Sequence, residues 1–264
     1  MWGGATTVDG NTVYVTQEDT HHVWAYDLKE NNWTGLPDCP QCDAGLAIVN
    51  GLLTAVGGCT NDGDITNTLA TLTESRSRWI KHFPPMPVKV GGPAVVCTGN
   101  HLLVTAAKVV YVMETTSLKW FSASSLPVYV VNTSLAVCGT ELYVLSYNGS
   151  VFRCSLPTLL QSSTSVQPET TDVWQRVASV PVEDSTLTTL CGQLVAVGGH
   201  NEISEPTDTV HLYDPLMNSW HIIRYMPTAR YDCLVATLPG DTLVVIGGVT
   251  GVRPCDVVEV AYPV

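Results

Sequence analysis

Five tryptophans, Trp33, Trp79, Trp120, Trp174 and Trp220, recur at separations of 46, 41, 54 and 46 residues. A period of about 40–50 residues is the mark of a fold assembled from copies of one small sheet, each burying its faces on its neighbours. Seven residues ahead of four of these tryptophans an apolar run ends, at Tyr26, Leu72, Met113 and Tyr213. That constant spacing predicts two strands joined by one tight turn, used again in each copy. In the fourth copy the matching residue is Cys154, 20 residues before Trp174 and so 13 in excess. The excess holds Leu160 to Thr171, rich in Ser, Thr, Gln and Pro, a composition that predicts a mobile loop.

A second element recurs upstream of these pairs: a turn with glycine, an alternating apolar strand, then two glycines. It is seen at Gly51–Gly58, Gly192–Gly199 and Gly240–Gly248, ending in Gly57-Gly58, Gly198-Gly199 and Gly247-Gly248. Paired glycines at a strand end let backbones approach closely and bend, while the tryptophans supply large apolar area for packing. Both features are therefore read as structural. The 264 residues suffice for a large core, and 45% hydrophobic against 14% charged residues excludes a disordered chain or a coiled coil.

The segment Leu212-Tyr213-Asp214-Pro215-Leu216-Met217-Asn218-Ser219-Trp220, followed by Tyr225-Met226-Pro227-Thr228-Ala229-Arg230, resembles the kelch repeat, with Pro85-Met86-Pro87 supplying the same turn after Trp79. The resemblance covers nearly the whole chain. It implies an all-β, six-bladed kelch-type β-propeller, a single module over residues 1–264. Blades are expected to begin near residues 4, 43, 91, 130, 185 and 231. Gly58 and Gly199 each precede a tryptophan by 21 residues, so Gly248 calls for one near position 269, beyond the last residue. The sixth blade is thus expected to lack its outer strand, leaving unpaired edge groups there.

Loops after the second strand of a blade share a face with the blade-to-blade connections, and in kelch relatives that face commonly receives peptides. The resemblance places Gln17–His22, Cys59–Thr66, His200–Asp208 and Val249–Cys255 there, with Pro37–Asp43, Pro84–Val90, Val180–Asp184 and Pro227–Asp232. These loops hold 12 of the 24 acidic residues. Candidate partner-binding residues are Glu18, Asp19, Asp43, Asp62, Asp64, Lys89, Asp184, Glu202, Glu205, Asp208, Arg230, Asp232 and Arg253. With a net charge of −12, a basic peptide or protein is the expected ligand, whereas phosphate backbones and anionic lipid are repelled. The expected role is a protein-interaction module, a scaffold or substrate adaptor; oligomeric state is left open. The family also contains carbohydrate enzymes of mutarotase and oxidase type, the alternative from another class.

Catalytic and metal signals are weak, and neither cofactor nor metal is expected. Cys39-Pro40-Gln41-Cys42 is one CxxC without a second, so a redox pair or half a zinc site, and His21 and His22 lie in a separate loop. Asp62-Gly63-Asp64 lacks the remaining ligands of a calcium loop and reads as a polar hairpin. Nine cysteines, mostly in apolar runs, read as buried thiols of a reducing, cytoplasmic setting. The first residues lack the basic and apolar regions of a signal peptide, and no apolar stretch is long enough for a membrane span.

Overall fold

The computed structural model describes residues 4–127, 129, 133–161 and 173–262. The chain divides into two compact units, Gly4–Ala123 and Ser124–Val264. Most of the inserted segment before Trp174 lies outside the described residues.

The first unit is made of three four-stranded antiparallel sheets, each taking its strands in chain order. They are β1 (Thr6–Asp9), β2 (Thr12–Thr16), β3 (Val23–Asp27) and β4 (Asn32–Gly35); β5 (Gly45–Val49), β6 (Leu52–Val56), β7 (Leu69–Leu72) and β8 (Trp79–Ile80); and β9 (Val95–Thr98), β10 (His101–Ala106), β11 (Val109–Glu114) and β12 (Lys119–Ser125), whose last two residues fall in the second unit. The second unit repeats the plan with β13 (Ser134–Cys138), β14 (Glu141–Leu145), β15 (Val151–Ser155), the helix α1 (Leu156–Gln161) and β16 (Gln175–Val177), then with β17 (Thr186–Leu190), β18 (Gln193–Val197), β19 (Thr209–Asp214) and β20 (Ser219–Tyr225). The last sheet has three strands among the described residues, β21 (Leu234–Leu238), β22 (Thr242–Ile246) and β25 (Val258–Ala261), with a small hairpin, β23 (Val249–Thr250) and β24 (Arg253–Pro254), between the second and third. The outer strand expected to be missing is not among them.

The seven-residue spacing is a hairpin. Tyr26 lies opposite Trp33, Leu72 opposite Trp79 and Tyr213 opposite Trp220 across the third and fourth strands. The tyrosine hydroxyls close the turn by donating to Asn31 Oδ1 and Asn218 Oδ1, at 2.8 and 2.9 Å. The indole N–H groups of Trp79, Trp120, Trp174 and Trp220 then reach back along the chain. Trp79 donates to Pro37 O at 2.8 Å, Trp120 to Pro84 O at 3.1 Å and Trp220 to Ala178 O at 2.8 Å. Trp174 donates to Ser124 Oγ at 2.7 Å. Tryptophan is used here because a bulky ring fills the space between sheets while its N–H satisfies a group in the preceding connection.

The second strands do not alternate as the sequence pattern suggests. Residues 53–56 of β6 and 194–197 of β18 are buried on both faces, because each of these two sheets is packed on both sides within its own unit. Their neighbours form the cores: Leu46, Leu53 and Ala55 with Tyr14 and Ala25; Val56 and Leu69 with Leu102 and Val104; Tyr143 and Leu145 with Leu194; Val195 and Val197 with Leu243 and Val245. Outer strands such as β4 and β20 are largely exposed.

Candidate functional site

Three of the second strands, β6, β18 and β22, end in two glycines held at positive φ, 65° and 88° at Gly57-Gly58, 62° and 111° at Gly198-Gly199, and 64° and 86° at Gly247-Gly248. A Cβ on Gly58 would lie 2.2 Å from Cys42 O, and one on Gly199 would lie 2.4 Å from Glu183 O. This close approach draws the loop after the second strand against the connection that enters the same sheet. Antiparallel bridges fix the contact at Cys42 and Cys59, at Glu183 and His200, and at Tyr231 and Val249. The two kinds of loop therefore share a side in each unit, as the resemblance implied.

The loops at 59–66 and 200–207 have one backbone. Thr60 N–H donates to Asp64 O, and Asn201 N–H to Glu205 O, both at 2.9 Å. Gly63 N–H donates to Thr60 O and Ser204 N–H to Asn201 O, and the two donors share positive φ, 80° and 59°. Asp62, Asp64, Glu202 and Glu205 stand exposed on these turns. Each loop also exposes an isoleucine beside its acids, Ile65 at 48% and Ile203 at 73%.

Asp43, Asp184 and Asp232 occupy one repeat position and all have left-handed backbones, with φ of 50°, 46° and 50°. Asp tolerates that region better than most side chains, so part of the reason for these residues is conformational. Their carboxylates are half-exposed and usable. Asp43 Oδ1 accepts the Asp19 N–H at 2.8 Å, and Asp184 Oδ2 pairs with His200 Nε2 at 3.0 Å. Glu18 stands nearby, its carboxyl raised above the usual range by burial first and by the charges of Asp19 and Asp43 second. Lys89 and Arg253 are exposed, and Asp208 is half-buried with its carbonyl accepting the Met226 N–H at 2.6 Å.

Arg230 departs from the sequence reading. Its side chain is 0% exposed and pairs with Glu259 Oε1 at 2.7 Å. Its Nη1 donates to Gly247 O and Val257 O at 3.0 and 3.1 Å. A guanidinium sealed under the last sheet binds no partner; it ties the connection at 227–232 to β25. The repeat held the signal. Counting from the Met-Pro turn, Arg230 corresponds to Val90, and both donate backbone N–H to a threonine carbonyl, Thr207 and Thr66. An apolar residue in the matching copy marks an interior position.

The CxxC cysteines separate. Cys39 is buried, and desolvation pushes its thiol up to about 12. Cys42 turns to Cys59, with reciprocal backbone hydrogen bonds of 2.9 and 2.8 Å. Burial and the neighbouring Asp43 and Cys59 raise the Cys42 thiol as well. His21 Nδ1 meets Cys39 O at 2.7 Å, and His22 Nδ1 pairs with Asp38 Oδ1 at 2.9 Å, so neither Nδ1 is turned to Cys42.

Comparison with known proteins agrees with this architecture. Residues 184–227 match the kelch motif. The chain is 24% identical over 226 residues to human Kelch-like protein 15, covering 75% of this chain and 37% of that protein. It is 28% identical over 116 residues to Kelch repeat and BTB domain-containing protein 1 of vaccinia virus (strain Copenhagen), covering 40% of this chain and 20% of that one. The chain thus spans well under half the length of these relatives. The solved structure of YjhT superposes with a TM-score of 0.79 at 14% identity, over 99% of this chain and 95% of that one. The fold is therefore all-β, of the six-bladed kelch-type propeller class, and residues 184–227 carry a motif similar to the kelch repeat. Among the described residues, no helix is long and apolar enough to cross a membrane.

Proposed function

We propose that this chain is a non-catalytic protein-interaction module, residues 1–264 acting as one kelch propeller, and that it takes a basic peptide on its acidic loops. The observation that carries this reading is the placement of the acids: Asp62, Asp64, Glu202 and Glu205 stand exposed on two matching turns, and Asp19 sits on Asp43 with Glu18 beside it. The Glu18 carboxyl is raised by burial first and by the charges of Asp19 and Asp43 second, and a cation would offset that like-charge repulsion. The exposed Ile65 and Ile203, set beside Asp64 and Glu202, add an apolar contact to each acidic turn. A peptide with lysine or arginine flanking an apolar side chain fits that combination. Candidate contacts are Glu18, Asp19, Asp43, Asp62 and Asp64 in the first unit, with Asp184, Glu202, Glu205, Asp208 and Asp232 in the second; Lys89 and Arg253 would select against a wholly cationic ligand. A scaffold or adaptor role in a larger cytoplasmic assembly follows from the same reading.

The test is fluorescence anisotropy with a basic amphipathic peptide, its acidic counterpart and a scrambled neutral one, at low and high salt. The basic peptide should bind and weaken with salt, since exposed charges are screened beyond about 8 Å at physiological ionic strength. Glu18→Lys with Asp19→Lys should weaken it in the first unit, and Glu202→Lys with Glu205→Lys in the second. Binding indifferent to peptide charge, or turnover of a sugar substrate by the purified chain, would sink the proposal.

A further inference from the structure

The fold brings three metal-ligating side chains together where the repeat requires only a backbone contact. Cys42 and Cys59 face each other across an isolated antiparallel bridge, and Asp43 follows Cys42 in the left-handed conformation. One ligand atom from each of the three lies within 4.8 Å of the other two, and all three residues are half-buried. The matching places in the last sheet carry Tyr231, Asp232 and Val249, which have no such chemistry apart from the aspartate. In the copy at 183–200 the equivalent aspartate already turns to the residue after the diglycine, Asp184 Oδ2 lying 3.0 Å from His200 Nε2. The geometry of the repeat thus aims this carboxylate at the position that Cys59 fills in the first unit.

We propose that Cys42, Asp43 and Cys59 form a binding site for a thiophilic divalent cation of the zinc class. Two sulfurs and one carboxylate oxygen suit zinc in a tetrahedral site with a fourth position open to water. A tetrahedral zinc with Zn–S of about 2.3 Å places ligand atoms about 3.5–3.8 Å apart, so closure needs movements of roughly 1 Å. Each thiol gives its proton to solvent as its metal–sulfur bond forms, and no electrons are transferred. Cys39 takes no part, being buried three residues before the bridge, and the Nδ1 atoms of His21 and His22 are engaged by Cys39 O and Asp38 Oδ1. Bound metal would staple the connection entering the second sheet to the loop leaving β6.

The experiment titrates reduced, chelator-treated protein with zinc against a chromophoric chelator, and with cadmium while following the ultraviolet thiolate-to-metal band. The expected result is one zinc per chain, a cadmium–thiolate band and a rise in melting temperature with added metal. Cys42→Ser and Cys59→Ser should abolish the band. Asp43→Asn, which keeps a residue tolerant of the left-handed backbone, should weaken zinc by about tenfold or more while the band remains. Cys39→Ser and Cys191→Ser serve as controls and should bind as the unaltered chain does. Equal binding by the unaltered chain and by folded Cys42→Ser would overturn the proposal. So would isolation of the chain with a Cys42–Cys59 disulfide that persists under the reducing conditions used.

Discussion

Arg230 offers the sharpest test of how the last sheet is held. Replacing it with Met keeps the apolar stem and removes the guanidinium. The loss comprises the 2.7 Å ion pair to Glu259, whose side chain is only 13% exposed, the Nη1 hydrogen bonds to Gly247 O and Val257 O, and a longer Nε hydrogen bond to Thr228 O at 3.3 Å. Val257 O retains the Gly247 N–H at 3.2 Å, so Gly247 O and Thr228 O are the carbonyls that give up a donor. A charge left without its partner in the interior costs about 3–5 kcal/mol. A Coulomb estimate for unit charges at ~4 Å and an effective dielectric of ~20 gives about 4 kcal/mol, in the same range. Equilibrium urea unfolding should show the midpoint falling at unchanged slope, with a melting temperature lower by about 2–4 °C per kcal/mol. Adding Glu259→Leu removes the stranded carboxylate, and the double variant should return to within about 2 kcal/mol of the parent, that remainder being the Gly247 and Thr228 carbonyls left without the Arg230 donors. If Arg230→Met costs under about 1 kcal/mol, or if the double variant is no better than the single, the buried-pair account is wrong.

Three other perturbations probe the same architecture. His211, 3% exposed on β19 with Nδ1 unpartnered among the described residues, has its pKa held below 6.5 by burial. The unfolded chain therefore takes up this proton first, so stability should fall as pH drops from about 6.5 through the lowered folded value. In His211→Leu, urea midpoints across that window should lose this component of the slope. Gly198→Ala should cost more than about 2 kcal/mol, because its Cβ meets Arg230 O at 2.4 Å and φ is 62°. Gly192→Ala, at φ 70° with open space around the Cβ, should cost about 1 kcal/mol, and the difference in thermal unfolding isolates the clash. Trp220→Phe forfeits the 2.8 Å bond to Ala178 O and should lose about 1 kcal/mol, while Trp220→Ala should lose about 2–3 kcal/mol, less than a fully buried ring because Trp220 is half-buried. Equal losses from the two tryptophan variants would mean that the indole ring contributes no packing between sheets.

The repeat made the sheets legible before any coordinates. A constant separation of seven residues between Tyr213 or Tyr26 and its tryptophan can arise only from the same turn, and the structure has them directly opposite each other. Paired glycines likewise announced a close backbone approach, because no larger residue tolerates an atom 2.2–2.4 Å from where its Cβ would sit. Local spacing encodes such features, since they depend on residues within a few positions of one another. Arg230 and Cys42 were different. Whether a charge faces solvent or a buried carboxylate, and whether a cysteine meets its CxxC partner or one 17 residues later, depends on which loop the neighbouring strand end brings alongside. Those contacts join segments distant in sequence, so only the packed sheets decided that Arg230 would bind Glu259 and that Cys42 would stand against Cys59.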